Sequence, residues 1–238
     1  MKQSPQKFWL NPKFQVVTTW IWNGVGALIV TSIAMVILPV NIAINREAMS
    51  QRPGLTMLPI FAEIIAVGIL PIIFTIISKD HITLYGISKK GLLKSIALSL
   101  LVVIAYYAYL FIKDGQFTTG ISFANARINT PGNLLLAILA LLAYGPLEIF
   151  FVVWLIHNTD RTFRKTNGVL SPGLVVTIVI YGLLHTFSQG TNALVIATLF
   201  LAFGVIYKYT RNSIGPMVAW TIINEFIWFL ASALLSSA

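Results

Sequence analysis

Four ionisable side chains sit inside long apolar runs, Glu63, Glu148, His185 and Glu225, with Asn224 beside the last. Leaving such a group unpaired in hydrocarbon costs several kcal/mol, so each is a candidate functional residue by default. The clearest case is Glu148, the lone carboxylate in "AYGPLEIFFVVWLIHN". A glutamate and a histidine can polarise a water for attack on a peptide carbonyl, with an amide N–H steadying the oxyanion that forms. Glu148, His185 and Asn224 supply those three kinds of group. A metal centre is not expected, because one histidine with one carboxylate falls short of the usual three protein ligands. The chain has no cysteine, which excludes thiolate sites and disulfides. No cofactor is expected.

The elements that must position these groups follow from composition. The 238 residues are 57% hydrophobic and 10% charged, with a mean hydropathy of +0.85. Apolar stretches of about 18 or more uncharged residues read as bilayer-spanning helices. Residues 20–45 and 95–112 carry no charge, and Glu225 is the only charge in 213–238. The expected fold class is therefore all-α, a multi-pass transmembrane bundle of about seven helices. They are placed near 18–44, 56–78, 92–112, 133–156, 172–187, 192–209 and 213–235, in one integral membrane domain over residues 1–238. Clusters of Pro, Gly, Asn and charge separate them, and Pro172 with Gly173 suits a helix start. The opening "MKQSPQKFWLNPKF" is too polar for a cleaved signal peptide, so the first span is expected to act as an uncleaved anchor.

Basic residues set the expected orientation. The N-terminal tail and the second, fourth and sixth loops hold twelve Lys and Arg residues, against four on the other side (Arg46, Arg52, Lys113 and Arg127). The positive-inside bias places the N-terminus in the cytoplasm and the C-terminus outside a cell membrane. The net charge of +9 belongs to loops held at an anionic leaflet. The expected partner is thus the lipid bilayer, with no nucleic acid.

Structural readings stand beside the functional ones. Glu63 also reads as a protonated acid bonded to a neighbouring helix, and three polar groups on three helices also read as helix–helix glue. Asn224 and Glu225 are adjacent, about 100° apart on a helix, so only one can squarely face a given interior point. His81 and His157 read as loop or headgroup-level residues. Gly24 and Gly26 in the aromatic-rich first helix offer a face for another chain.

Two segments carry a resemblance. "YGLLHTFSQG" and "LFLAFGVIYKYTRNSIGPMVAWTIINEF" resemble the second half of the CAAX prenyl endopeptidase family of intramembrane proteases, also called ABI or CPBP. Such proteins share Glu-Glu-x-x-x-Arg, Phe-x-x-x-His and His-x-x-x-Asn motifs, and a "G…Y…T-x-S-I-x-x-P" connection. Here that connection is matched by Gly204, Tyr207, Thr210, Ser213, Ile214 and Pro216. "LYGISKKGLLKSIALSL" is similar to the interfacial stretch before the family's core, so the likeness covers roughly 84–235.

Carried over by residue, the motifs are incomplete. Leu147 stands at the first glutamate, Glu148 at the second and Val152 at the arginine. Tyr181 replaces the phenylalanine and His185 is kept. Trp220 replaces the histidine and Asn224 is kept.

The resemblance implies catalytic positions at Glu148, His185 and Asn224. It implies a substrate or partner groove near Tyr181, Trp220, Glu63 and Glu225. Three features weigh against activity. Leu147 cannot act as a base, Glu148 lies about 100° round the helix from it, and Trp220 can donate one N–H bond but cannot accept or relay a proton. Helix centres also suggest that Glu148 and His185 are offset by roughly 10 Å along the membrane normal. Two functions remain. One is a non-catalytic scaffold, partner-binding or regulatory or immunity subunit that holds a membrane protein. The other is an active endopeptidase with a rearranged site, cutting a membrane-anchored or prenylated peptide. Paired discontinuous helices, frequent in transporters, are not evident.

Overall fold

Where water is excluded, a chain must satisfy its own backbone, and apolar runs do so by coiling into helices. The computed structural model describes residues 8–37, 57–115, 131–165 and 168–224. Among these are seven long helices and no strand: α1 Pro12–Ile37, α2 57–78, α3 Leu92–Asp114, α4 131–163, α5 Pro172–Gln189, α6 Ala193–Thr210 and α7 Ile214–Ile223. This is the all-α bundle that the apolar runs predict. Four segments, Ile60–Ser78, Leu92–Lys113, Ile138–Phe163 and Ala193–Thr210, are long and apolar enough to cross a membrane. The first helix starts at Pro12 rather than near residue 18. The last span expected from the sequence is described only as far as residue 224, so Glu225 lies outside the described residues.

Helix α4 is the axis of the bundle. It is buried continuously from Glu148 to Ile156 and packs against α1, α5, α6 and α7. Its neighbour α5 starts as its sequence predicts. Pro172 takes the first turn and the Ser171 hydroxyl accepts the Leu174 N–H at 3.3 Å. Gly173 lets α5 lie directly against α4, since a Cβ there would strike the Ile156 carbonyl oxygen. Gly26 is likewise used inside the chain, facing the Ala66 backbone, while Gly24 has open space before it.

Two helices widen locally into π-helical turns, Ile64–Gly68 in α2 and Ala143–Leu147 in α4. Pro146 sits in the second, where its missing N–H disfavours a regular α-turn. Neighbouring side chains bond the carbonyls of both turns, as buried backbone requires. Trp22 Nε1–H donates to the Ile65 oxygen at 2.8 Å and Asn23 to that of Ala66 at 3.4 Å. The two turns face one another, with Leu147 filling the space that a side chain at Gly68 would need.

One end of the bundle is tied by a polar network. The short turn Ile82–Tyr85 docks there, with Tyr207 O–H donating to the Leu84 oxygen at 2.9 Å and Ser213 O–H to that of Tyr85 at 2.7 Å. The Asn212 amide donates to Ser88 and Lys90 oxygens at 2.6 and 3.0 Å. Tyr85 O–H donates to Asp80 at 2.7 Å, and burial, with that bond second, pushes its phenol up to about 12. Lys79, Arg164 and Arg211 cap the C-termini of α2, α4 and α6 at this end in left-handed conformation, each a cation at the negative end of a helix dipole. The described basic loops that the sequence assigns to one side therefore do meet at one end.

The network also holds a buried ion pair, Lys208 Nζ with Asp160 Oδ2 at 2.6 Å, both side chains 2% exposed. The other Asp160 oxygen accepts the Gly173 N–H at 2.7 Å, so one carboxylate ties α4, α5 and α6. Removing one partner of such a pair leaves a bare buried charge, at a cost of about 3–5 kcal/mol. Lys208→Met is expected to lose about that much stability in detergent unfolding, and Asp160→Asn combined with Lys208→Met to recover a substantial part of it.

Candidate functional site

Glu148 begins the regular part of α4, directly after the π-helical turn. Its carboxylate accepts two bonds: Tyr181 O–H to Oε1 at 2.5 Å and Trp220 Nε1–H to Oε2 at 2.6 Å. Both are short, as bonds to a carboxylate are. All three side chains are 4% exposed. Phe200 lies edge-on to the Tyr181 ring at 4.9 Å and tilted to the Trp220 ring at 4.7 Å, while Phe151 packs against Tyr181 and Phe203 against Trp220. The result is a carboxylate held from two helices and walled by aromatic rings.

The sequence-derived site residues are brought together only in part. His185 lies one turn beyond Tyr181 on α5, with ring centroids 4.4 Å apart. Its Nδ1 is 2.9 Å from the Tyr181 carbonyl oxygen, which can only accept, so Nδ1 carries the proton. The imidazole is near enough to Glu148 to act on it electrostatically. Tyr181 thus touches both residues, bonding Glu148 through its hydroxyl and facing the His185 ring. Asn224 does not turn to Glu148. Its amide donates to the Tyr144 carbonyl oxygen at 2.7 Å and so fastens the end of α7 to the π-helical turn of α4. Glu63 directly precedes the π-helical turn of α2, half-buried and within electrostatic reach of Glu148.

Tyr181 and Trp220, which the resemblance places at a groove, are buried and turned inward to the Glu148 carboxylate. The reason is local. Leu147 points at Gly68 on α2, so Glu148, one residue on, points towards α5 and α7. At the arginine position, Val152 is packed in the core. Asp160 and Lys208, near the ends of α4 and α6, pair across the bundle. A lone cation in the apolar run of α6, with a lone acid ending α4, was the signal for their pairing.

Tyr181 and Trp220 thus converge on Glu148, each supplying it with a donor, and neither is suited to relay a proton at neutral pH. Comparison with known families gives the frame. Residues 129–226, less than half of the chain, match the family model described as type II CAAX prenyl endopeptidase Rce1-like. The chain is similar to the CAAX prenyl endopeptidases. No curated protein and no solved structure matches it significantly. The matched segment holds Glu148, Tyr181, His185, Trp220 and Asn224 together with the Gly204–Pro216 connection; Glu63 lies outside it. With four segments able to cross a bilayer, this is a CAAX-protease-like membrane protein.

The geometry sets an order of stability among variants. In Glu148→Gln the amide oxygen can take the Trp220 N–H and the amide N–H can donate to the Tyr181 oxygen, so the unfolding midpoint in detergent is expected to stay near wild type. Glu148→Leu orphans two buried donors, each costing about 1–3 kcal/mol, and is expected to be the least stable. Trp220→Phe, which leaves one carboxylate oxygen unmet, should fall between them.

Proposed function

We propose that this protein is a non-catalytic member of the CAAX-protease-like group, a multi-pass scaffold, partner-binding or regulatory or immunity subunit of a cell membrane. Its single domain would keep a family core over about residues 84–235, with the N-terminus in the cytoplasm. The observation that carries the reading is the closed carboxylate. A general base must be reached by its water, whereas Glu148 is 4% exposed among aromatic rings and each of its oxygens already accepts a bond, from Tyr181 and from Trp220. Asn224, the candidate oxyanion donor, is committed to the Tyr144 carbonyl. On this account Glu148, His185 and Asn224 are motif positions turned to bundle assembly, and the partner is a membrane protein bound elsewhere on the surface.

A specific feature favours the second reading, an endopeptidase acting on a membrane-anchored or prenylated peptide. His185 is only half-buried and sits one turn from Tyr181, the residue that bonds Glu148, with its Nδ1 2.9 Å from the Tyr181 carbonyl oxygen. Side-by-side affinity purification from native membranes separates the two. Wild type and a Glu148→Gln/His185→Ala variant are expected to hold the same stoichiometric membrane partner. A precursor peptide trapped uncut by the variant alone would overturn the non-catalytic reading.

A further inference from the structure

Where α4 ends and α5 begins, a cleft of about 770 Å³ is lined by Phe163, Arg164, Lys165, Leu170, Ser171 and Val175, among others. Its two cations are set by the chain's own turn. The Arg164 N–H donates to the Arg161 carbonyl and the Lys165 N–H to that of Asp160, closing α4 with Arg164 left-handed. The cleft walls are fixed to one another below this turn, because Asp160 bonds both Lys208 and the Gly173 backbone.

The charge of the cleft is not answered from within. The described acids at this end are Asp80 and Asp160, and each is already paired, with Arg161 and Lys208 respectively. Arg164 and Lys165 take part in neither pair and are exposed. Next to them the surface is apolar: Leu170 is 76% exposed and Phe163 54%. From the cleft an apolar stripe runs down one face of α5 at four-residue spacing, Val175, Val179 and Leu183, exposed by 50, 54 and 59%. Two cations at the rim with an apolar track leading away match a molecule with an anionic head and hydrocarbon tails.

We infer that this cleft holds the headgroup of an anionic phospholipid, with Arg164 and Lys165 on the phosphate and an acyl chain along Val175, Val179 and Leu183. The inference rests on the reading of the chain as membrane-spanning and is independent of whether Glu148 is catalytic. It makes the end of α4 a lipid-specified anchor. Each basic residue near an anionic surface is worth about fivefold in binding, so losing both should cost roughly twentyfold or more.

The test is native mass spectrometry and thermal unfolding of the detergent-purified full chain with added phosphatidylglycerol or phosphatidylcholine. Wild type is expected to retain phosphatidylglycerol preferentially and to unfold at a higher temperature with it. Arg164→Gln/Lys165→Gln, both at solvent-exposed positions, is expected to lose that preference. A Lys89→Gln/Lys90→Gln variant, changed at the same end but away from the cleft, should keep it. Equal phosphatidylglycerol retention by the cleft variant and wild type would overturn the inference. So would an equal loss in the Lys89/Lys90 variant, which would mean diffuse charge attraction. Displacement of the lipid by millimolar inorganic phosphate would also overturn it, by showing a free anion as the ligand. Failure of the wild type to retain phosphatidylglycerol would overturn it too, while leaving the reading of the chain as membrane-spanning intact.

Discussion

A carboxylate among apolar helices has no water to turn to, so its oxygens must be met from the protein or the fold pays the cost of desolvation. Glu148 meets that constraint with a phenol and an indole from two other helices. The arrangement joins α4, α5 and α7 at one point, and the rings that carry the donors also form its wall, with Phe200 between them. Much around this point serves the same end. The π-helical turn before Glu148 directs Leu147 to α2 and Glu148 to α5 and α7, and Asn224 fastens that turn from α7.

The opposite problem is solved at the polar end, where charges are plentiful and loops must be held close to the bundle. There Asp160 carries two duties at once, countering Lys208 and receiving a backbone N–H at the start of α5. The residues of the Gly204–Pro216 connection also gain concrete roles. Gly204 leaves room for Leu174, Tyr207 and Ser213 hold the turn at Leu84 and Tyr85, and the Thr210 hydroxyl bonds within its own chain turn. In this chain that connection serves to dock a loop, while the site lies deeper along α4.

The helices were legible in the sequence because hydrophobic length and punctuation dominate in a chain this apolar. α5 begins at Pro172, as the Pro–Gly pair implies, and the seven helices fall where the uncharged runs lie. The retained positions Glu148, His185 and Asn224 were legible as rare polar groups in apolar runs. Their partners were not. Which way Glu148 points depends on one extra residue in a turn, and no periodicity count shows a π-helical turn. Tyr181 and Trp220 read as losses from a motif when taken singly, and only their shared target makes them additions. The Lys208–Asp160 pair was hidden because its members are 48 residues apart and each borders a loop.

The central claim is that the Glu148 carboxylate is sealed by its own donors. The most direct measurement is hydrogen–deuterium exchange of the Trp220 indole N–H, followed by NMR of the ¹⁵N-tryptophan-labelled protein in detergent, with the resonance assigned by its loss in Trp220→Phe. The account predicts exchange far slower than that of a free tryptophan derivative in the same detergent. Exchange as fast as in that derivative would show that water reaches Glu148, and the carboxylate would then be open to act as a base.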